Sequence, residues 1–414
     1  MVRNAALSLA DRLEDTAPAL GEAAIREVLR VEAPRLDGFE IAAGDEALAA
    51  DTRRFQIYDA HAGFDLVDEL EFLVPAMPRL DDRAIRLLVA RDENPHRSRL
   101  RFFMPFTVET VGWRRRETLR AWSHPFGPLG TPPLDGDDPA GTLHTLFDAM
   151  LDPALALPEI LVLPDLRLEG PTARLVREVA AARGFCVAVA NGTTRAALRR
   201  DGAGPISRPA ARHRREAERL RRLLAREGRV ELAEARELDA VRDALESLLL
   251  LEAGGWKGRA RSALLTDRYR SAFAREAVNG LAEQGRVRAF TLMLEGEPVA
   301  SLIALLAEGE AVLWKTAFSE RHRRAAPGVV VAFLAAEALR RDPEIRFVDS
   351  CAVPDHRVMN RFLPDRVAVG TLVVSLRDRS ERTAQGVAQD LRARRRRLHR
   401  RRLWLDALGR LWPF

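Results

Sequence analysis

The sequence predicts an α/β fold of two domains followed by a basic helical tail. The chain has 414 residues, which is long for one domain. Segments with strand and helix periodicity alternate through both halves. Its 47% hydrophobic and 30% charged residues are the balance of a globular protein with a large core. We place an N-terminal helical segment at 1–36, the domains at 37–205 and 206–376, and the tail at 377–414.

The first domain has a strand–helix–strand order. A stretch rich in proline and glycine, 121–134, is typical of a loop, and Asp138 can cap the helix that follows it. Alternation of this kind indicates a central sheet covered by helices. The predicted strands are 85–90, 100–106, 160–163 and 185–190, and the predicted helices are 138–151 and 171–183.

The second domain has the clearer pattern. A charged helix at 213–227 precedes the order strand, two helices, three strands, helix, strand, helix and strand. The tight turn Glu295-Gly296-Glu297 marks a β-hairpin. We assign strands to 229–235, 287–294, 299–306, 311–318, 345–351 and 367–375, and helices to 238–252, 269–284, 329–340 and a short segment ending near 363.

Composition narrows the class of protein. The only two cysteines, Cys186 and Cys351, provide neither a disulfide framework nor a metal cluster, so we expect no metal and a reducing compartment. Acidic residues interrupt the apolar N-terminal segment, which makes it a poor signal peptide. The longest apolar stretch, 328–339, is too short to span a bilayer. These features predict a cytoplasmic protein.

The loop between the strand at 311–318 and the next helix is a candidate phosphate site. It contains several arginines, and Pro327-Gly328 leads into the helix. A helix N-terminus presents free backbone N–H groups and a positive dipole, and glycine lets a ligand approach the backbone closely. The sequence therefore predicts pyrophosphate binding by Arg323, Arg324, Ala326, Gly328 and Val329.

Three motifs carry a family resemblance. GGWKGR (254–259), LWKTAFSE (313–320) with APG (326–328), and FVDSCAVPDH (347–356) with MNRF (359–362) resemble the CelD/BcsL-type acetyltransferases of the GNAT superfamily. Those enzymes resemble the Fem-type aminoacyl transferases, which have two GNAT-like domains in tandem. The likeness extends weakly into the first half through AWSHPFGPLGTPPL (121–134). The chain departs from the family at Ala326, where serine is usual, and at 362–366, which lacks the usual Trp-x-x-Arg.

The resemblance implies a fold and a reaction. The fold would be two tandem GNAT-like domains, each a mixed central sheet flanked by helices. The donor would be acetyl-CoA or another acyl-CoA, bound at the loop before the 329–340 helix. The acyl group would pass to an amine or hydroxyl of a small-molecule or glycan acceptor, in polysaccharide, including cellulose, or cell-envelope biosynthesis. Backbone amides of the central strand would polarise the thioester carbonyl.

Asp349 and His356 are the candidate catalytic residues. Asp349 lies near the end of the predicted strand 345–351, and His356 follows in a short loop, both at the C-terminal edge of the predicted sheet. Acyl transfer needs a base for the acceptor proton, and an imidazole titrates near neutral pH. His356 would be that base, with Asp349 orienting it or binding a substrate amine. In the alternative, Asp349 braces the loop and His356 is a surface residue. Cys351 is either an acyl-accepting nucleophile or a core residue.

The chain contains two lysines among 66 basic residues. Both Lys257 and Lys315 follow a tryptophan, and both are candidates for roles in which arginine cannot replace an ammonium group. Alternation along the 311–318 strand predicts that Trp314 and Lys315 face opposite sides. The alternative for Lys315 is a buried interdomain ion pair, and the alternative for Trp256-Lys257 is a hydrophobic plug with a solvent-exposed lysine. We predict substrate binding by Trp256, Lys257, Lys315 and Asn360.

The tail supplies the excess positive charge. Segment 392–402 (RARRRRLHRRR) holds eight arginines, whereas the whole chain has a net charge of +6, so the body is near neutral. Nucleic acid is therefore an unfavoured partner. A basic segment followed by tryptophan and leucine residues is typical of an interfacial membrane anchor, here on the inner face of the membrane. A nucleic-acid arm or a helix packed on the body are the alternatives.

Two functional alternatives remain open. A Fem-type transferase would use aminoacyl-tRNA as the donor and would present a broad basic groove. A non-catalytic GNAT-like pair would instead serve as a binding module at the membrane surface. The acyl-CoA-dependent N- or O-acyltransferase is the prediction that the motifs favour.

Overall fold

The computed structural model describes residues 54–59, 76, 80, 83, 85–94, 97–124, 126–127, 129–200, 209–307, 309–376 and 381–411. Within these residues, one mixed sheet of twelve strands has helices on both faces. The predicted α/β class, a mixed sheet flanked by helices, is confirmed. The predicted helical segment at 1–36 and most of the linker near 200–212 lie outside the described residues.

The ten predicted strands are present with differences at their ends, and the described residues contain two further strands that the sequence did not predict, at 54–59 and 116–121. The predicted strand 345–351 is shorter than expected, and the predicted strand 185–190 is longer. In chain order the strands are β1 (Arg54–Asp59), β2 (Arg86–Asn94), β3 (Arg97–Val111), β4 (Arg116–Ala121), β5 (Ile160–Arg167), β6 (Cys186–Arg199), β7 (Val230–Ala235), β8 (Val287–Leu294), β9 (Glu297–Ala307), β10 (Glu310–Phe318), β11 (Phe347–Asp349) and β12 (Asp365–Ser375).

The helices of the described residues include one that the sequence did not predict, at 256–259, where a loop was expected. The helices are α1 (Pro139–Leu151), α2 (Pro171–Ala182), α3 (Ala211–Leu224), α4 (Leu238–Gly254), α5 (Trp256–Arg259), α6 (Arg268–Glu283), α7 (Pro327–Arg341), α8 (Met359–Phe362) and α9 (Glu381–Leu411). Gly258 permits the tight step from α4 to α5, because a Cβ there would lie 1.8 Å from the carbonyl oxygen of Ala253.

The two halves repeat one topology. In each, four strands pair antiparallel (β1 to β4, and β7 to β10), and a fifth strand follows a helix and pairs parallel with the fourth. The sixth strands are exchanged. β6 of the first half pairs with β11 of the second, and β12 of the second half pairs with β5 of the first. The sheet is therefore continuous across the halves.

Helices α4 and α6 join the halves on one face of the sheet. Leu245 of α4 and Phe273 of α6 belong to a buried cluster that also contains Leu87 of β2 and Phe103 of β3. On the opposite face of the second half, α3 and α7 form a separate buried cluster with β8 to β11. Burial of this apolar surface orders the segments that carry the candidate site.

The long helix α9 has two parts. Ala384, Val387, Ala388 and Leu391 are buried against β3, β5, β6 and β12. Residues 396–400, in the arginine-rich run, are exposed. Among the described residues, we find no helix that combines the length and the apolar character needed to cross a membrane.

Candidate functional site

The parallel pair β10 and β11 opens towards its C-terminal end. Its register comprises Glu310 with Phe347, Ala311 with Val348, and Val312 with Asp349. β11 ends there, whereas β10 continues to Phe318. The second part of β10, beyond Val312, therefore has no parallel neighbour in β11. We call the space beside this strand edge the gap.

Helix α7 begins at the end of this gap. Its N-cap, Ala326, has a left-handed backbone (φ 46°), and the carbonyl of Ala326 accepts a hydrogen bond from the N–H of Val329 at 2.8 Å. A Cβ on Gly328 would lie 2.8 Å from the ring of Phe318, so glycine allows the helix to start against the end of β10. Arg323 and Arg324 are exposed just before this helix N-terminus. The five residues predicted to bind pyrophosphate thus lie together.

A carboxylate connects this loop to the GGWKGR motif. Glu320 accepts hydrogen bonds from the Trp256 N–H and the Arg259 guanidinium, both at 2.7 Å. The hydrogen bond from Arg259, followed by that from the Trp256 amide, lowers the pKa of Glu320. The Trp256 side chain is 55% exposed. The motif therefore borders the start of α7 and presents an indole to solvent there.

Both lysines of the chain meet at one buried carboxylate. Glu252, near the end of α4, lies 2.7 Å from the Nζ of Lys257 and 3.8 Å from the Nζ of Lys315. Its other oxygen accepts a hydrogen bond from the Leu264 N–H at 2.8 Å. Burial opposes ionisation of Glu252, but these hydrogen bonds and the two lysine charges lower its pKa overall. Lys315 thus forms an ion pair, but with a residue of the same half and not between the predicted domains.

A β-bulge sets the direction of Lys315. The register of β10 with β9 shifts between Leu313 and Lys315. Trp314 packs in the cluster of α4 and α6, and Lys315 also points to α4, towards Glu252. The prediction that these two side chains face opposite sides is wrong, because a bulge interrupts the strand alternation.

The loop from the first half completes the surroundings of Lys315. The ring centroid of Phe126 lies 4.6 Å from the Lys315 Nζ, and the Phe126 carbonyl accepts a hydrogen bond from Trp314 Nε1 at 2.8 Å. His124 stacks on Trp122 and meets Phe273 edge-on. Burial lowers the pKa of His124 to about 4. Elements of both halves therefore form one wall of the site.

Sequence reasoning did not identify Glu252, Phe126, His124 or Arg270 as parts of this region. Glu252 carried a usable signal, because it is an acidic residue at the end of an apolar helix immediately before GGWKGR. Phe126 and His124 lie in the 121–134 segment, whose family likeness was noted without a role. The contact of Arg270 with the Phe126 ring, at 6.0 Å, had no signal in the sequence.

Asp349 lies in a second buried ion cluster. Its side chain is completely buried, 2.6 Å from the Arg195 guanidinium and 3.3 Å from Nε of Arg167. Its other oxygen accepts the N–H of Cys351 at 3.0 Å. Arg167 also contacts Glu310 of β10 at 2.5 Å and lies over the ring of Phe347. Asp349 thus connects β11 to β5 and β6 of the first half.

His356 lies in the loop before α8. Its Nδ1 accepts a hydrogen bond from the Met359 N–H at 3.2 Å, and its carbonyl accepts the Asn360 N–H. Burial lowers its pKa. Val348 and Met359 pack in the α3 and α7 cluster, whereas the neighbours of Val348 in β11, Phe347 and Asp349, point to the other face. Neither of the described side chains Asp349 and His356 hydrogen-bonds the other. Their catalytic roles stay predictions.

Cys351 is poorly suited to nucleophilic chemistry. Burial, the dominant influence, raises the pKa of its thiol to about 12. A thiol rather than a thiolate is therefore present near neutral pH, and the thiolate is the reactive form. The high pKa therefore disfavours the nucleophile alternative, although Cys351 is half-buried and not a fully buried core residue.

Comparison with known proteins adds a family assignment for part of the chain. Residues 211–355 match the family model Acetyltransf_6, an acetyltransferase (GNAT) domain. No curated protein matches the sequence. The matched segment contains α3 to α7, β7 to β11, both lysines and the loop before α7.

Several solved structures are similar at low identity. A conserved protein of unknown function from Bacteroides thetaiotaomicron is 11% identical, with 81% of this chain and 98% of that chain covered and a TM-score of 0.44. FemX is 10% identical, with 81% and 96% covered and a TM-score of 0.44. A tandem GNAT protein from the clavulanic acid biosynthesis pathway is 14% identical, with 77% and 98% covered and a TM-score of 0.34.

Proposed function

We propose that the protein is an acyl-CoA-dependent N- or O-acyltransferase, because residues 211–355 match the model of a GNAT acetyltransferase domain. The observation that carries the proposal is the coincidence of the family match with the gap between β10 and β11, closed at one end by the N-terminus of α7. A strand edge that lacks its parallel neighbour beside a helix N-terminus suits an extended molecule with a pyrophosphate at one end.

Each part of the donor has a place in this arrangement. The pyrophosphate would bind the first turn of α7 from Ala326 to Val329, with Arg323 and Arg324 adding charge. The pantetheine arm would follow β10 into the gap. The thioester carbonyl would then lie near the backbone of β10 beyond Val312, where N–H groups can stabilise a developing oxyanion.

The acceptor side is supported by the exposed Trp256 indole and the two lysines. Aromatic faces bind apolar or sugar surfaces, and lysines bind carboxylate or phosphate groups. A glycan or another small molecule of polysaccharide or cell-envelope biosynthesis has such groups. His356 and Asn360 are close to one another through the His356 carbonyl, and their roles in this site are part of the proposal.

Ligand-dependent thermal unfolding tests the donor. We expect acetyl-CoA or a longer acyl-CoA at ~100 times its dissociation constant to stabilise the protein by about 2.7 kcal/mol. Arg323→Ala and Arg324→Ala should each weaken binding. Arg341→Ala, at the exposed C-terminal end of the same helix, is the matched control and should not.

Two results would redirect the proposal. Stabilisation by aminoacyl-tRNA alone would favour the Fem-type reaction. The absence of any shift with thioesters or tRNA would favour a non-catalytic binding module, and the acyl-CoA proposal would be abandoned.

We further propose a cytoplasmic location in which α9 contacts the membrane. The support is the exposed run of arginines at 396–400 on a helix whose earlier turns are anchored to the sheet. Basic residues near an anionic surface contribute about 1 kcal/mol each. The full chain should sediment with phosphatidylglycerol vesicles. A variant with residues 396–402 changed to glutamine should remain in the supernatant. Equal sedimentation of both would refute the contact.

A further inference from the structure

The lysine cluster contains more positive than negative charge. The buried carboxylate of Glu252 faces two ammonium groups, Lys257 at 2.7 Å and Lys315 at 3.8 Å. Arg270 of α6 adds a third cation beside the Phe126 ring, with Asp267 at its outer side, 3.9 Å away. One carboxylate therefore serves two lysines in a largely buried site. Unbalanced buried charge is unfavourable, and a lysine can remove it by losing its proton, whereas an arginine cannot.

The geometry indicates which lysine loses the proton. Lys257 donates a charge-assisted hydrogen bond to Glu252 at 2.7 Å. Lys315 lies more than an ångström farther from the carboxylate, and its side chain is only 16% exposed. Burial lowers the pKa of Lys315 to about 8; Glu252 opposes this change, and Lys257 and Arg270 add to it. A substantial fraction of Lys315 is thus a neutral amine near physiological pH.

Lys315 also lies at the expected reaction centre. It follows the bulge in β10, in the part of the strand that extends beyond the end of β11. Its side chain points to the α4 face, whereas α7 packs on the opposite face. A donor held by the N-terminus of α7 and an acceptor approaching from the α4 side would meet beside this strand.

We propose that Lys315 is the general base of the acyl transfer, that Lys257 is a positioning residue whose charge favours the neutral amine of Lys315, and that Glu252 is a positioning residue that orients it. The inference rests on the proposed acyltransferase function. The neutral amine of Lys315 would take the proton from the acceptor hydroxyl or amine as that atom forms its bond to the thioester carbon. The carbon–sulfur bond would then break, and the CoA thiolate would receive the proton from Lys315, directly or through water.

The lysine content allows a direct test. Protein labelled with ¹³Cε-lysine has two side-chain resonances, which Lys257→Arg assigns. We expect the Lys315 resonance to titrate near pH 8. Lys257→Met should raise that midpoint, since it removes a like charge, and Glu252→Gln should lower it, since it removes the counter-ion. A Lys315 midpoint above about 10, the ordinary range of lysine, would overturn the inference.

Kinetics test the base itself. The probe is acetyl-CoA with water as acceptor, and the readout is the rate of CoA release between pH 6 and 10. The rate should rise with the midpoint found for Lys315. Lys315→Met should lose about 10²-fold or more and lose this rise, while it still binds acetyl-CoA. An unchanged rate and pH profile in Lys315→Met would overturn the inference.

The two proposals fail in different ways. If acetyl-CoA binds and Lys315 titrates above pH 10, only the base assignment falls. If no acyl-CoA binds the wild-type protein, the acyltransferase and its base fall together, whatever the lysine titration shows.

Discussion

Two buried carboxylates of this protein each lie between two basic side chains, but only one of the two clusters can exchange a proton. Asp349 is held between the guanidinium groups of Arg167 and Arg195, and Glu252 lies between the ammonium groups of Lys257 and Lys315. Arginine stays charged at any pH a folded protein experiences, whereas a buried lysine can become neutral. The arginine cluster is therefore a permanent brace, and the lysine cluster can transfer a proton.

The positions of the clusters agree with this division. Asp349 of β11 connects the second half to two strands of the first half, because Arg167 belongs to β5 and Arg195 to the exchanged strand β6. The Glu252 cluster lies beside the bulge of β10 and the loop before α7. Arginine supplies nearly all the positive charge of the chain. The two lysines lie together in the Glu252 cluster, where an exchangeable proton is useful.

The largest expected effect is on stability. Asp349→Asn removes the carboxylate that Arg167 and Arg195 share, and breaking a buried pair in this way typically costs about 3–5 kcal/mol. Glu252→Gln, the matched amide substitution, should cost less at pH 9, because Lys315 can lose its proton, and its cost should grow as the pH falls to 7. Urea unfolding of both variants measures the difference. If both variants lost the same free energy of unfolding at every pH, the distinction between the clusters would be contradicted.

The pH dependence of Lys315 gives a comparable effect. Its pKa of about 8 in the folded protein lies below its ordinary value of 10.5. As the pH falls from 10.5 to 8, the unfolded chain binds a proton that the folded protein does not, so the wild type should lose about 3 kcal/mol relative to Lys315→Met. Below pH 8 the difference should stay constant. Parallel stability curves for the two proteins would refute this shift.

His124, beside the lysine cluster, should affect the stability of the protein at acidic pH. Its pKa of about 4 in the folded protein lies below its ordinary 6.5. Its contribution is complete above pH 6.5 and is lost as the pH falls towards 4, by about 3 kcal/mol. His124→Phe keeps an aromatic ring and removes the titration. Acid unfolding should therefore begin at lower pH in the variant, and identical acid profiles would exclude this role.

Cys351, beside the arginine cluster, should give the smallest effect. Its buried thiol, with a pKa raised to about 12, should react slowly with iodoacetamide at pH 8, and Cys351→Ala should retain acyl transfer. Cys186 is the other site of labelling, so Cys186→Ala isolates the rate of Cys351. Rapid modification of Cys351 with loss of activity would support its role as an acyl-accepting nucleophile.

Much of the fold could be predicted from local patterns. The hairpin of β8 and β9, the helix after β10 and the order of the second half follow from period-two strands, glycine turns and helix caps. The exchange of β6 and β12 could not, because the partner of a strand depends on long-range packing that neither periodicity nor turn residues encode. The bulge at Trp314 was missed for a related reason, since it arises from the register with β9.

The site was predicted in part. The residues predicted to bind pyrophosphate, from Arg323 to Val329, lie together at the N-terminus of α7. The two lysines, which we selected because they are rare in this chain, contact one carboxylate. The pairing of Asp349 with His356 was inferred from their proximity in sequence. Asp349 instead contacts Arg167 and Arg195, and His356 Nδ1 accepts the Met359 N–H, so proximity in the chain does not make these two side chains partners.

The central claim is that an acyl-CoA occupies the gap between β10 and β11 against the N-terminus of α7. Hydrogen–deuterium exchange with and without saturating acetyl-CoA tests it most directly. The account predicts slower amide exchange in residues 313–331 on binding, with the amides from Gly328 to Val330 among the most protected. Binding that leaves this segment unchanged, or that protects a different surface, would contradict the account.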